Sequence, residues 1–218
     1  MTFSVAIDGP AGSGKGTIAT FISEKFHLKH LDTGLLYREA ARLVIENDVN
    51  ILDVVRLEEI AYKVDPYRIF EEKLRNENIA SVASQIAVVP SLRRVLTQKM
   101  RDFANDIMPN YQGVVLDGRD VGTVILPNAD VKIFVIADPE VRALRRAKEL
   151  NSPAQTILED IKIRDMRDGN RQAAPMQIAE DAITLDTTFL DIRSVCEKAA
   201  EIVENTMQSR HIALKARG

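Results

Sequence analysis

The stretch Gly9-Pro10-Ala11-Gly12-Ser13-Gly14-Lys15-Gly16-Thr17 limits what this chain can become more than any other part of it. It follows a short apolar run, Phe3 to Ile7, and precedes a segment in which Ile18, Phe21, Ile22 and Phe26 recur at helical spacing. Strand, glycine-rich turn and helix form the setting of a phosphate-binding P-loop. The glycines let backbone N–H groups turn inward with no Cβ in the way. Those groups, with the positive end of the next helix, make an anion cradle. Lys15 adds a point charge for the β- and γ-phosphates of a nucleotide. Two stray glycines would be an ordinary turn; Gly9, Gly14 and Lys15 at this spacing after a strand make all nine residues the expected ATP-phosphate site.

A Ser or Thr hydroxyl commonly follows the lysine and holds Mg²⁺. Here Gly16 takes that place and Thr17 comes one later. Mg²⁺, arriving as Mg-ATP, is therefore expected to be held mainly by the nucleotide phosphates and water. The Gly-Lys-Gly-Thr variant is more similar to that of nucleoside monophosphate kinases than to that of GTPases. A formal charge of −3 and 5% aromatic residues argue against a nucleic-acid surface, which needs basic patches and stacking rings. The single cysteine, Cys196, excludes an internal disulfide, and no apolar run approaches the roughly 18 residues that span a bilayer. A cytoplasmic, membrane-free monomer is the expectation.

Strands are expected at 3–7, 28–31, Gly113 to Asp117, Val131 to Ile136 and 182–185. Helical spacing marks Lys15 to Phe26, a helix from near Leu35, one around Leu57 to Val64, Ile79 to Val88, Pro90 to about Asn105, Glu140 to Leu150, and Asp191 to Met207. Ile192, Val195, Cys196, Ala199, Ile202 and Val203 are expected to bury the last of these, and the basic tail from Ser209 to be frayed. Arg68 to Leu74 reads equally as a short strand or an irregular segment. Strands alternating with helices predict an α/β three-layer fold, a parallel five-stranded sheet flanked by helices. The apolar strand ending in Asp117 resembles a Walker B strand, whose carboxylate handles Mg²⁺ weakly, through its water shell.

Between Arg142 and Arg171 basic residues crowd together. Arg164, Arg167 and Arg171 are spaced to share one helix face, with Asp165 and Asp168 expected to point elsewhere. Alone, this run reads as a solvated face laced with ion pairs. Beside a P-loop it reads as a lid, because phosphoryl transfer needs fixed positive charge and the exclusion of water. Arg38, Arg93 and Arg119 sit beside elements that end at the same sheet edge, where guanidinium groups bind phosphate bidentately. His27, His30 and His211 show no metal-ligand spacing, and surface or core packing roles are expected for them; Tyr37 suits stacking near an acceptor and packing equally.

Ile7 to Lys15, Leu31-Asp32-Thr33-Gly34-x-x-Tyr37-Arg38, Ala83-Ser84-Gln85-Ile86-Ala87, Asp117-Gly-Arg-Asp120-Val-Gly-Thr123, Arg164-Asp-x-Arg167-Asp168-x-x-Arg171 and Leu185-Asp186-Thr187-Thr188 together resemble bacterial cytidylate kinase from the first strand to the last helix. The resemblance implies transfer of the γ-phosphoryl of ATP to CMP or dCMP. It implies that Thr33, Ser84 and Asp120 contact the cytosine or sugar, and that Arg38, Arg93 and Arg171 face the acceptor's monophosphate or base. Lys15, Arg119, Arg164 and Arg167 would carry the catalytic charge. It divides one domain, 1–218, into a core (1–46, 79–150, 176–210), a short NMP-binding insertion (47–78) and an Arg-rich helical lid (151–175). The chain departs from the family's usual pattern at Asp65 to Asn78, which is short and has no Gly-centred hairpin for a small sheet. Rival readings are a UMP, AMP or shikimate kinase, or a nucleotide-binding switch; the switch lacks an Asn-Lys-x-Asp segment to read guanine.

Overall fold

The computed structural model describes residues 3–74, 76–106 and 108–209. Five strands form one sheet: β1 (Phe3–Asp8), β2 (Leu28–Asp32), β3 (Gly113–Gly118), β4 (Val131–Ile136) and β5 (Ile183–Asp186). Their order is β2-β3-β1-β4-β5, with every neighbouring pair parallel. The strand that opens the chain is thus central, and later strands are added on both its sides. Ligands of such sheets bind beyond the carboxyl ends of the strands, where the order reverses.

Side chains alternate across the sheet. Ala6, Leu31, Val114 and Leu116 face one layer, in which α2 (Thr33–Glu46), α3 (Val54–Lys63), α5 (Glu77–Ile86) and α6 (Pro90–Asn105) bury Leu36, Leu57, Ile86, Leu96 and Met100. Val5, Ile7, Val115 and Ile133 face the other, formed by α1 (Lys15–Phe26) and α9 (Ile192–Ser209). A small third cluster, Ala143, Ile157 and Ile161, packs α7 (Pro139–Leu150) against α8 (Ala154–Asn170).

The expected elements are present, with three differences. Asp32 caps α2, its carboxylate accepting from Gly34 N at 2.8 Å, so that helix starts at Thr33 and not at Leu35. Arg68 to Leu74 holds a one-turn helix, α4 (Glu71–Leu74), and the described residues of 47–78 contain no strand. Ile192 is 54% exposed because α9 begins there, before the helix reaches the sheet. Beyond Ser209 itself, the tail expected to fray lies outside the described residues, as does His211. No single helix among the described residues is long and apolar enough to cross a membrane.

Candidate active site

The glycine-rich loop joins β1 to α1 at the centre of the sheet edge. A Cβ on Gly9 would lie 2.2 Å from the carbonyl oxygen of Val135, so only glycine lets the loop pass this close to β4. Gly14 takes the left-handed conformation (φ 90°) as the N-cap of α1 and offers that helix no side-chain cap. The first-turn N–H groups of α1 are thereby left for an anion. The loop's carbonyl groups are tied elsewhere. Arg142 Nη1 donates to Ala11 O at 3.1 Å, and Thr187 Oγ1 lies 3.1 Å from Ser13 O.

Lys15 points into the cleft beside this loop. Burial and the charge of Arg119 pull its ammonium down to about 8, against the attraction of Asp117 and Asp32. Those two carboxylates are register partners at the ends of β3 and β2. Burial and then the charge of Asp117 raise Asp32 above the usual carboxylate range. His30 Nε2 donates to Asp117 Oδ1 at 2.8 Å. Burial works against the charged imidazole, but the Asp117 bond and charge outweigh it and raise the His30 pKa. The packing role expected of His30 is therefore incomplete: its partner lies 87 residues away, a pairing that local spacing does not reveal.

A cleft of about 210 Å³ opens between this edge and the helices, lined by Lys15, Asp32, Tyr37, Arg38, Arg119, Asp120, Arg164 and Arg171 among others. Thr33 and Ser84 also line it. The Thr33 hydroxyl donates to Asp117 O at 2.8 Å, and Ser84 Oγ accepts from Arg167 at 3.0 Å. Arg38 donates to Leu74 O at 2.9 Å. Asp120 is clasped between two guanidinium groups: Arg93 Nη2 at 2.5 Å and Arg171 Nη2 at 3.0 Å. Arg93 reaches Asp120 from outside the cleft lining, at 5.5 Å from the Tyr37 ring. Burial pushes the Tyr37 phenol up to about 12, so it stays protonated at neutral pH. An adjoining groove shares Asp32 and is lined by Gly14, Gly16, Thr17, His30 and Asp117.

The arginines of the 164–171 stretch differ from the sequence expectation in two ways. Arg171 is not on the face of α8; the helix ends at Asn170 and Arg171 follows in extended backbone, which turns its side chain to Asp120. Asp168 and Asp165 do not point elsewhere. Asp168 accepts from Arg119 at 2.9 Å, and Asp165 from Arg142 at 2.7 Å. Burial opposes the charged form of Asp168, but Arg119, Arg164 and Arg171 hold it below the usual carboxylate range. Arg164 is the unbalanced member: its buried Nε has no hydrogen-bond partner, and burial with the charge of Arg119 lowers it to about 10. A buried donor left unsatisfied beside a phosphate cradle is suited to a ligand's oxygen.

Two further residues escaped sequence reasoning. Asp8 ends β1 and is buried, its two oxygens accepting from Val121 N at 2.8 Å and Gly122 N at 2.7 Å. It so fixes the π-helical turn (Val121–Ile125) that follows Asp120. Arg142, 3% exposed, donates to Ala137 O, Ala11 O and Asp165. An isolated acid at a strand end and one arginine in a basic run give no local signal of such bonds.

Residues 5–205 match the family model described as cytidylate kinase. The chain is 44% identical to the cytidylate kinase of Rhodopseudomonas palustris (strain TIE-1), over 94% of this chain and 98% of that one. It is 44% identical to the cytidylate kinase of Methylocella silvestris, over 97% of each. Among solved structures, a gluconokinase from Sinorhizobium meliloti 1021 shares the fold, with a TM-score of 0.54 at 13% identity over 96% of each chain.

Proposed function

The chain belongs to the cytidylate kinase family, and we propose on that premise that it transfers the γ-phosphoryl group of ATP to CMP or dCMP, giving ADP and CDP or dCDP. One observation carries the reading: an uncapped helix start at Gly14 and a cluster of guanidinium groups converge on one sheet edge, with Lys15 between them. Little covalent chemistry is asked of a protein in phosphoryl transfer; it aligns two nucleotides and supplies charge where negative charge spreads.

In this reading Gly9 to Thr17 wrap the donor phosphates. Lys15, Arg119, Arg164 and Arg167 face the transferring group. Thr33, Ser84 and Asp120 contact the base or sugar of the acceptor, and Arg38, Arg93 and Arg171 its phosphate or base. Residues 47–78 serve as the acceptor-binding insertion and 151–175 as the lid. Arg164 Nε supports this assignment, because an oxygen of the moving phosphoryl would satisfy it. Asp120, besides its own contact, orients Arg93 and Arg171 on the acceptor side.

The residues fit a magnesium ion. Asp32 and Asp117 present hard oxygen donors side by side, next to the phosphate cradle, and their mutual repulsion favours a cation. When bound, Mg²⁺ neutralises charge on the β- and γ-phosphate oxygens. Asp117, with Asp32 beside it, would hold the ion or its waters.

The test is ADP release over a panel of acceptors: CMP, dCMP, UMP, AMP and shikimate. CMP and dCMP are expected to lead in kcat/KM. Preference for AMP or shikimate, or ATP turnover indifferent to any acceptor, refutes the proposal.

A further inference from the structure

We infer that His30 is a positioning residue that fixes the Asp117 carboxylate toward the divalent cation of the donor nucleotide. The inference rests on the phosphoryl-transfer reading above.

The register of the sheet sets up the contact. His30 is paired with Val115 on β3, so Asp117, two residues on, lies on the same face of the sheet, diagonal to it. Val115 belongs to the layer covered by α1, and His30 and Asp117 line the groove shared with Gly14, Gly16 and Thr17 at the start of that helix. The Asp117 side chain is 2% exposed and that of His30 25%. With Oδ1 held at 2.8 Å, Asp117 cannot rotate without breaking a charge-assisted bond in a buried setting. Oδ2 is left as the oxygen that faces α1: a Cβ on Gly16 would lie 3.9 Å from it.

Position 16 is where a hydroxyl would share in holding both the cation and this carboxylate. Gly16 has no such group, and Thr17 is exposed. Among the described residues no group of three or more His, Cys, Asp or Glu side chains forms a ready-made metal site. The aim of one Asp117 oxygen therefore matters more here, and His30 is what sets it. Outer partners that orient a metal ligand typically change metal affinity about 10- to 100-fold when removed.

The experiment measures the metal's contribution to nucleotide binding without turnover. Calorimetry gives the affinity for a non-hydrolysable ATP analogue in saturating Mg²⁺ and in EDTA, and the ratio reports the coupling. His30→Ala and His30→Leu, the second of similar bulk without a donor, are expected to cut that ratio about 10-fold while the EDTA affinity holds. His30→Gln, which restores an N–H donor, is expected to recover most of it. A ratio in His30→Ala and His30→Leu within about twofold of the native protein overturns the inference, as does a native ratio near one. Loss of CMP-dependent ADP release in the native protein would instead refute the underlying reading.

Discussion

Replacing Asp120 by Asn keeps the side-chain volume and removes the one negative charge shared by Arg93 and Arg171. The three side chains are 6%, 5% and 4% exposed, so water cannot screen the change. Both are direct guanidinium–carboxylate bonds, at 2.5 and 3.0 Å, so they are charge-assisted. Removing one partner of a buried pair costs about 3–5 kcal/mol, because the other charge is left uncompensated. Arg93 keeps Ala87 O at 3.1 Å and Arg171 keeps Ala174 O, which places the cost toward the low end. For a domain of this size each kcal/mol moves Tm by about 2–4 °C, so Asp120→Asn should melt roughly 6–12 °C lower. The two uncompensated guanidiniums should then prefer an anion. CMP or inorganic phosphate should raise the Tm of the variant more than that of the native protein. Thermal unfolding with and without these additives decides it. A variant melting within 2 °C of the native protein, with no extra response to phosphate, refutes the reasoning, since that is how an exposed ion pair behaves.

Burial lifts Asp8 to about 6, chiefly against its bonds to Gly122 and Val121. The folded protein therefore holds this proton more tightly than the unfolded chain does. The contribution is fully present below about pH 4 and lost as pH rises through 6, a swing of at most about 3 kcal/mol. Asp8→Asn should flatten stability against pH over that window in denaturant titrations; an unchanged slope excludes Asp8 as its source. Gly16→Ser has room, since its Cβ would make only an ordinary contact with Asp117 Oδ2 at 3.9 Å. It should leave Tm unchanged or slightly raised and tighten Mg²⁺-dependent nucleotide binding; a drop of several degrees shows that the space is not there. Lys15, lowered to about 8, carries its charge below that pH and loses it above. The kcat/KM for ATP should fall on the alkaline side with an apparent pKa near that value, and a flat profile to pH 9 contradicts the burial of Lys15.

The layout of the sheet was legible because its strands are continuous apolar runs and its helices have a clear period: Val131 to Ile136 and Pro90 to Asn105 appear where their residues place them. The glycine-rich loop between β1 and α1 was legible for a local reason, since the positions of Gly9, Gly14 and Lys15 are set by backbone geometry within one turn. Long-range polar pairing was not. Asp168 belongs to Arg119 and Asp165 to Arg142 because α8 packs back against α7 and α5, and neither spacing nor composition encodes that approach. His30 looked unremarkable for the same reason: Asp117 reaches it only through the β2–β3 register. Arg171 was misplaced by extending a helical period one residue past the end of α8.

Arg142 has a mechanical consequence. Its single side chain bonds the glycine-rich loop at Ala11 and the arginine-bearing helix at Asp165. Displacing that helix would cost the 2.7 Å bond to Asp165 unless the Arg142 side chain moved with it. The glycine-rich loop and the arginine-bearing helix are thus joined through one planar cation, with no intervening chain between them.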